Sequence, residues 1–280
     1  MSNDPCRLDK RLVRIAFDRA APHYEKLAVL QQEIGERLLG RLELIKARPA
    51  TVLDIGSGTG QIARAAARRY RSAQVTAVDL SEAMLAMSRR RMGWWRRPAL
   101  VCGDMENLPF GDSSVDMVLS NLTLQWCNDL DRVFIELHRV LKPDGVLFFT
   151  TFGPDTLKEL RTSWATADRF NHINAFPDMH DIGDAMLRAG LADPVVDRED
   201  LTLVYGDVRH LMNDLKGIGA HNVTAGRPRG LTTPRELGRV EHAYEAYRRD
   251  DGLPATYEVI FGHAWMVRRG SVEIPVDGIR

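Results

Sequence analysis

Val52-Leu53-Asp54-Ile55-Gly56-Ser57-Gly58-Thr59-Gly60 is an apolar run that passes straight into three alternating glycines, and a helix-length segment follows it. Glycines at these positions let the backbone turn sharply and approach a ligand that a Cβ would repel. The spacing is GxGxG. It differs from the GxGxxG of dinucleotide sites, and no Lys-Ser or Lys-Thr follows to build a phosphate-binding P-loop. The loop therefore calls for a ligand carrying less phosphate than a dinucleotide or a nucleoside triphosphate.

Two carboxylates extend the pattern. Asp79 stands 19 residues after Gly60, at the end of the apolar run Val75 to Val78 and just before Leu80-Ser81. A carboxylate there can accept both hydroxyls of a ribose. Ser81 is placed to cap the following helix, which leaves Asp79 free for a ligand. Asp104, in Gly103-Asp104-Met105, ends the next apolar stretch and can accept a hydrogen bond from an adenine amino group.

Around this nucleus, short β-branched runs alternate with helix-length segments, the texture of parallel strands joined by crossover helices. The expected strands are Thr51 to Ile55, Gln74 to Asp79, Ala99 to Cys102, Ser114 to Ser120 and Gly145 to Phe152. A helix with Leu130, Val133, Phe134, Leu137, Val140 and Leu141 on one face is stopped by Lys142-Pro143-Asp144-Gly145. Residues 8–46 read as two helices divided by Pro22. Later come a helix from Pro154 to Ala167, another from Asp181 to Ala189, an extended stretch from Pro194 to Tyr205 and a last strand from Thr256 to Met266. The fold class is α/β: a doubly wound, mostly parallel, Rossmann-like sheet of seven strands. The expected organisation is an N-terminal helical segment over the site (1–46), a ligand-binding domain (47–206 and 255–268) and a helical insertion acting as a lid (207–254).

Composition excludes several classes. The 280 residues carry 38 Lys plus Arg against 38 Asp plus Glu. That balance argues against a nucleic-acid coat or a binder of acidic membranes. Apolar runs such as Val146-Leu147-Phe148-Phe149 fall far short of the roughly 18 residues that a membrane span needs. Met1 to Phe17 has no apolar core of a secretory signal, and Asp4 and Asp9 count against a transit peptide. The three cysteines, Cys6, Cys102 and Cys127, show no CxxC spacing, so a disulfide framework and a zinc site are not expected. The expected compartment is the cytoplasm, with Cys102 a small buried hydrophobe.

Val52 to Gly60, Val78-Asp79-Leu80-Ser81 and Gly103-Asp104-Met105-Glu106-Asn107-Leu108-Pro109-Phe110 together resemble the class I S-adenosylmethionine-dependent methyltransferases. The resemblance covers roughly residues 45–152. It implies that S-adenosyl-L-methionine is the cofactor and that Gly56, Gly58 and Gly60 approach its methionine part. Asp79 would hold the ribose, Met84 and Met105 would flank the adenine, and Asp104 would read its amino group. Asp54 would bind the ligand's ammonium, directly or through the loop. Ser57, Leu80 and Asn121 complete the expected cofactor-binding set.

Further stretches narrow the family: Arg14 to Tyr24, Ser120-Asn121-Leu122-Thr123-Leu124-Gln125-Trp126, Gly153 to Arg161, and Asp214 to Asn222. Together they resemble the malonyl-acyl carrier protein O-methyltransferases of biotin synthesis. That resemblance implies methyl transfer to the free carboxylate of a malonyl group on acyl carrier protein or coenzyme A. The resulting methyl ester primes pimeloyl synthesis. Such a carboxylate has an unperturbed pKa near 4 and needs no base, so no catalytic nucleophile, no metal and no His–Asp pair are expected. Tyr24, Gln125, Trp126 and His221 are the main candidates for positioning the acceptor, with His23, Lys216 and Asn222 beside them. Acyl carrier protein is acidic, so a basic patch is expected near the mouth, from Arg227 and Arg229 or from Arg89-Arg90-Arg91 with Arg96 and Arg97. Two other readings stay open: methylation of another small acceptor, and a non-methylating relative acting as an arginine hydroxylase or assembly factor.

Overall fold

The computed structural model describes residues 7–93, 97–220, 222–224, 226, 230 and 232–267. The chain opens with three helices, α1 (Lys10–Ala20), α2 (Tyr24–Leu27) and α3 (Val29–Arg41). An alternating series follows: β1 (Thr51–Ile55), α4 (Gln61–Arg69), β2 (Gln74–Asp79), α5 (Glu82–Arg91), β3 (Ala99–Cys102) and β4 (Val115–Asn121). Next come α6 (Leu130–Val140), β5 (Leu141–Phe152), α7 (Lys158–Ala165), α8 (Met179–Arg188) and β6 (Leu191–Tyr205). The last elements are α9 (Val208–Gly217), α10 (Pro234–Glu245) and β7 (Leu253–Met266).

The seven strands form one sheet in the order β3-β2-β1-β4-β5-β7-β6. The first five are parallel to their neighbours, and β7 runs antiparallel between β5 and β6. The expected doubly wound, mostly parallel architecture is therefore present. Its central strands are apolar throughout because helices cover both faces. Leu53, Val118, Leu147 and Phe149 pack with Phe134, Leu137, Ile182 and Met186 from α6 and α8. On the other face Val52, Met117 and Leu119 pack with Leu38, Ile62 and Ala66 from α3 and α4. The chain order reverses between β1 and β4, and open sheets of this kind bind ligands outside the carboxyl ends of the strands at that point.

Local chemistry sets the helix starts. Asp129, Asp178 and Asp207 each accept backbone N–H bonds at the first turns of α6, α8 and α9. Thr233 and Glu236 form a reciprocal capping box before α10, with Pro234 in its first turn. Ser81 accepts the Met84 N–H at 3.1 Å, so it caps α5 as expected.

Several boundaries differ from the sequence expectations. Residues 8–46 hold three helices and a short 3-10 turn where two helices were expected. The helix expected from Pro154 begins only at Lys158, because the preceding residues seal the end of the sheet. The Asp155 N–H donates to Glu258 Oε2 at 2.7 Å, and Thr156 Oγ1 donates to the Glu258 carbonyl at 3.1 Å. Pairing along β6 and β7 carries those strands back to Leu191 and Leu253, earlier than their β-branched cores suggested. Cys102, expected to be buried, is exposed because β3 is an edge strand. Among the described residues no helix is long and apolar enough to cross a membrane.

Candidate active site

Between β1 and α4 the three glycines take left-handed conformations, with φ of 67°, 52° and 82° at Gly56, Gly58 and Gly60. Side chains resist this region. A Cβ on Gly56 would also fall 2.0 Å from Thr123 Oγ1, so β4's exit segment packs directly on the loop. The Ser57 N–H donates to the Val78 carbonyl at 2.9 Å and ties the loop to β2.

Asp79 closes the arrangement. Its two carboxylate oxygens accept the Gly58 and Ser81 N–H groups, each at 2.8 Å, and each keeps a lone pair for a further donor. Burial, aided by nearby Asp18, pushes its carboxyl up to about 6.

Asp54 lies beneath the loop and is fully buried. One oxygen accepts the Ala63 N–H of α4 at 2.8 Å, while the other has no hydrogen-bond partner. Burial pushes its carboxyl up to about 7. The Asp54 side chain does not line the cavity described below and holds the loop against α4 through the Ala63 N–H. Because its folded-state pKa is raised, its contribution to stability is fully present below about pH 4 and is lost as pH rises through about 7. An Asp54→Asn variant is accordingly expected to melt above the ligand-free wild type at pH 8, with the difference vanishing near pH 4. Calorimetric melting at both pH values checks this, and a lower melting temperature at pH 8 would overturn it.

The carboxyl ends of the strands open into a cavity of about 970 Å³. Gly56, Gly58, Asp79, Leu80 and Met84 line one end with Asp104, Met105 and Asn121. Ser57 and Gly60, two further candidates, do not line it; Gly60 faces Ser88 instead, and the Ser57 hydroxyl is buried without a partner. Asn121 donates to the Gln31 carbonyl at 2.9 Å and accepts from Thr150 at 2.7 Å, which anchors α3 to the sheet.

The N-terminal helices cover this end through polar contacts. Lys10 bonds Asp104 at 2.5 Å and Glu106 at 2.9 Å. The Ser81 hydroxyl donates to Asp18 at 2.6 Å, and Thr59 donates to Glu25 at 2.7 Å. Glu25 also pairs with Arg91. A Cβ on Gly58 would lie 3.9 Å from the Tyr24 ring, and burial together with Asp79 pushes the Tyr24 phenol pKa well up. Tyr24 therefore stays a neutral O–H donor across the working pH range.

The other end of the cavity is mostly apolar, walled by Phe152, Leu160, Trp164, Ile173, Phe176 and Tyr257. Gln125 and Trp126 both line the cavity, Trp126 packing with Phe17 and Leu80. The Gln125 amide donates to the Leu122 carbonyl at 2.7 Å and accepts from Thr151 at 3.2 Å, so half of its hydrogen-bonding capacity is spent within the fold. Trp126 meets Phe17 of α1 edge to face, with ring centroids 5.1 Å apart.

Two polar residues that sequence reasoning missed also line this end. His172 Nε2 sits 2.9 Å from Asp168, and its ring stacks on Trp164 at 3.7 Å. The expectation that no His–Asp pair would be present is thus corrected. Asn174 has a buried side-chain oxygen with no hydrogen-bond partner. Their stretch, between α7 and α8, has no periodicity or motif, and only its spatial neighbours give it meaning.

His221, Arg96, Arg227, Arg229, Cys6 and residue 268 lie outside the described residues. His23, Lys216 and Asn222 all line the cavity. The Arg89-Arg90-Arg91 run does not: it ends α5, and Arg91 is held by Glu25.

Comparison with known proteins adds sequence identity to this geometry. Residues 53–149 match the family described as Methyltransferase domain. The chain is similar to the malonyl-acyl-carrier protein O-methyltransferase of Gallionella capsiferriformans, 53% identical over 264 residues that cover 92% of this chain and 91% of the relative. It is similar to the protein of the same name from Halorhodospira halophila, 50% identical over 287 residues, with 99% and 97% covered. Its fold resembles that of Haemonchus contortus phosphoethanolamine N-methyltransferase 2 in complex with S-adenosyl-L-methionine, at a TM-score of 0.52 and 20% identity, over 83% of this chain and 53% of that one. The last likeness speaks for the fold alone. About half of all aligned positions agree over a span of 92–99% of the chain, and on that ground the chain belongs to the malonyl-acyl-carrier protein O-methyltransferase family.

Proposed function

We propose that this protein transfers the methyl group of S-adenosyl-L-methionine to the free carboxylate of a malonyl thioester carried by acyl carrier protein or coenzyme A. The observation that carries this reading is a single cavity with two unlike ends. A hydroxyl- and amine-binding end at Gly58, Asp79 and Asp104 is continuous with an apolar compartment under α7 and α9.

The residues fit S-adenosylmethionine. Gly58 leaves open space where a side chain would stand, Asp79 keeps lone pairs for a ribose diol, and Met84 and Met105 offer apolar surface for the adenine. Asp104 is the acceptor for the adenine amino group, and Asp54 acts through the loop it braces. When bound, the cofactor supplies a methyl group already activated on a sulfonium. The protein's task is then to orient the acceptor and exclude water. The acceptor carboxylate is ionised at neutral pH without a base. Tyr24 supplies a neutral donor beside the cofactor loop. His172, fixed in orientation by Asp168, supplies a polar group in the otherwise apolar acceptor end. Residues 1–46 and 207–254 act as covers over the site, 47–206 and 255–268 as its floor, and the compartment is the cytoplasm.

The test is intact-mass analysis of malonyl-acyl carrier protein after incubation with enzyme and S-adenosylmethionine, with malonyl-coenzyme A in parallel. A gain of one methylene that base hydrolysis removes is the expected result. No gain, with cofactor binding still detectable, would reject this acceptor. A His172→Ala variant is expected to raise KM for the malonyl substrate about tenfold, the scale of one hydrogen bond to a charged group. An unchanged KM would remove His172 from acceptor recognition.

A further inference from the structure

The acidic carrier called for a basic mouth, and the arginines favoured on sequence grounds either fall outside the described residues or do not line the cavity. Two cations and an imidazole occupy that place. Arg19 in the last turn of α1, His23 just before α2 and Lys216 in the last turn of α9 all line the cavity and are all exposed to solvent. The three elements are in contact. A Cβ on Gly219, just past α9, would lie 3.2 Å from the Ala16 carbonyl oxygen of α1, and one on Gly217 would lie 2.5 Å from Leu27 Cδ1 of α2.

A cation at a helix C-terminus is ordinary, since the dipole favours it. Here two such ends converge on one opening. The carboxylates of the same elements are turned to other partners: Asp18 to Ser81 and Arg14, Glu25 to Thr59 and Arg91, and Asp214 toward His210 at 3.8 Å. Among the described residues, no ion pair or side-chain hydrogen bond engages Arg19, His23 or Lys216. A chain of zero net charge thus presents a local positive rim at the entrance to its cavity.

We propose that Arg19, His23 and Lys216 form an anion site that holds the phosphate of the phosphopantetheine arm while the malonyl group reaches the interior. This rests on the thioester reading above and deepens it. The rim is too exposed to hold the reacting carboxylate, which belongs where water is excluded, beside Gly58 and Tyr24. An anion that keeps one side in water suits the rim. Leu27, Met212, Leu215 and Ile218 line the cavity on the same elements and offer apolar surface to the uncharged pantetheine chain. The phosphate on the pantetheine arm is common to both carriers, a phosphodiester in acyl carrier protein and part of a diphosphate in coenzyme A, so one site serves both.

The experiment compares wild type with Arg19→Glu/Lys216→Glu on three substrates: malonyl-acyl carrier protein, malonyl-coenzyme A and malonyl-pantetheine, which lacks the phosphate. Wild type is expected to prefer both phosphate-bearing substrates in kcat/KM. In the variant this preference over malonyl-pantetheine is expected to fall at least tenfold, and in wild type it is expected to weaken as salt rises. Thermal unfolding and the neutral Arg19→Gln/Lys216→Gln pair guard against a folding defect, the neutral pair showing a smaller fall in the same direction. A loss confined to acyl carrier protein would overturn the phosphate site in favour of contacts with the carrier's acidic surface. An unchanged preference in the charge-reversed variant of an active enzyme would overturn the anion site alone. Wild type inactive on all three substrates would overturn the thioester reading and the anion site with it.

Discussion

Asp79→Asn is expected to bind S-adenosylmethionine about 100-fold more weakly than wild type in isothermal titration at pH 7.5. The carboxylate already accepts the Gly58 and Ser81 N–H groups at 2.8 Å each, so it is fixed in orientation before a ligand arrives. A ribose diol adds two charge-assisted bonds, each worth roughly 1.5–3 kcal/mol. An amide keeps one acceptor oxygen but turns an N–H pair toward either Gly58 or Ser81, so the variant loses both charge and fit. The raised carboxyl pKa gives a second readout. Ligand hydroxyls favour the ionised form, and the free protein takes up a proton near pH 6. Wild-type affinity should therefore fall as pH drops through about 6, while the Asn variant, having nothing to titrate there, should not follow it. Equal affinities for variant and wild type at pH 7.5 would remove Asp79 from the cofactor site.

Gly56→Ala is expected to lose about 3 kcal/mol of stability and with it measurable cofactor binding. A left-handed φ of 67° costs a residue with a Cβ roughly 1–2 kcal/mol. The new methyl would also meet Thr123 Oγ1 at 2.0 Å and Thr123 Cβ at 2.6 Å. Thr123 cannot easily swing away. It is buried, and its hydroxyl reaches the Ile55 and Asn121 carbonyls at 3.3 and 3.1 Å. Overpacking of this kind costs roughly 1–3 kcal/mol. Gly56→Ala/Thr123→Gly relieves the overlap but not the dihedral strain, so it is expected to melt above Gly56→Ala with Thr123→Gly as the reference for the lost side chain. Urea unfolding of all three variants checks this, and a single variant within about 0.5 kcal/mol of wild type would show that the loop can relax.

The fold was legible because its signals are local. Apolar strands of four to seven residues, β1 to β4, separated by helices except between β3 and β4, where a loop takes the helix's place, specify a parallel sheet without reference to distant contacts. The glycine loop, Asp79 and Asp104 were legible for the same reason: each stands at the end of its own strand, and parallel pairing brings strand ends to one edge. Where expectations slipped, long-range pairing had intervened. Lys158, not Pro154, starts α7 because Glu258, a hundred residues away, claims the Asp155 and Thr156 groups first. Cys102 is exposed because β3 has no neighbour beyond it, a fact of strand order and not of its apolar surroundings.

By itself the sequence determined the doubly wound sheet, the ligand-binding edge and the resemblance that the relatives bear out across nearly the whole chain. Only the tertiary structure decided which groups share the cavity. Asp54 turned away beneath its loop, Gln125 donated to a backbone carbonyl, His172 found Asp168 and Trp164, and Arg19 and Lys216 came to line one cavity. The apolar end of the cavity is assembled from β5, α7, the stretch between α7 and α8, and β7, which are far apart in the chain. Their side chains acquire a direction only when helices dock, and docking is set by apolar packing summed over the whole molecule, a quantity that no short window of residues contains.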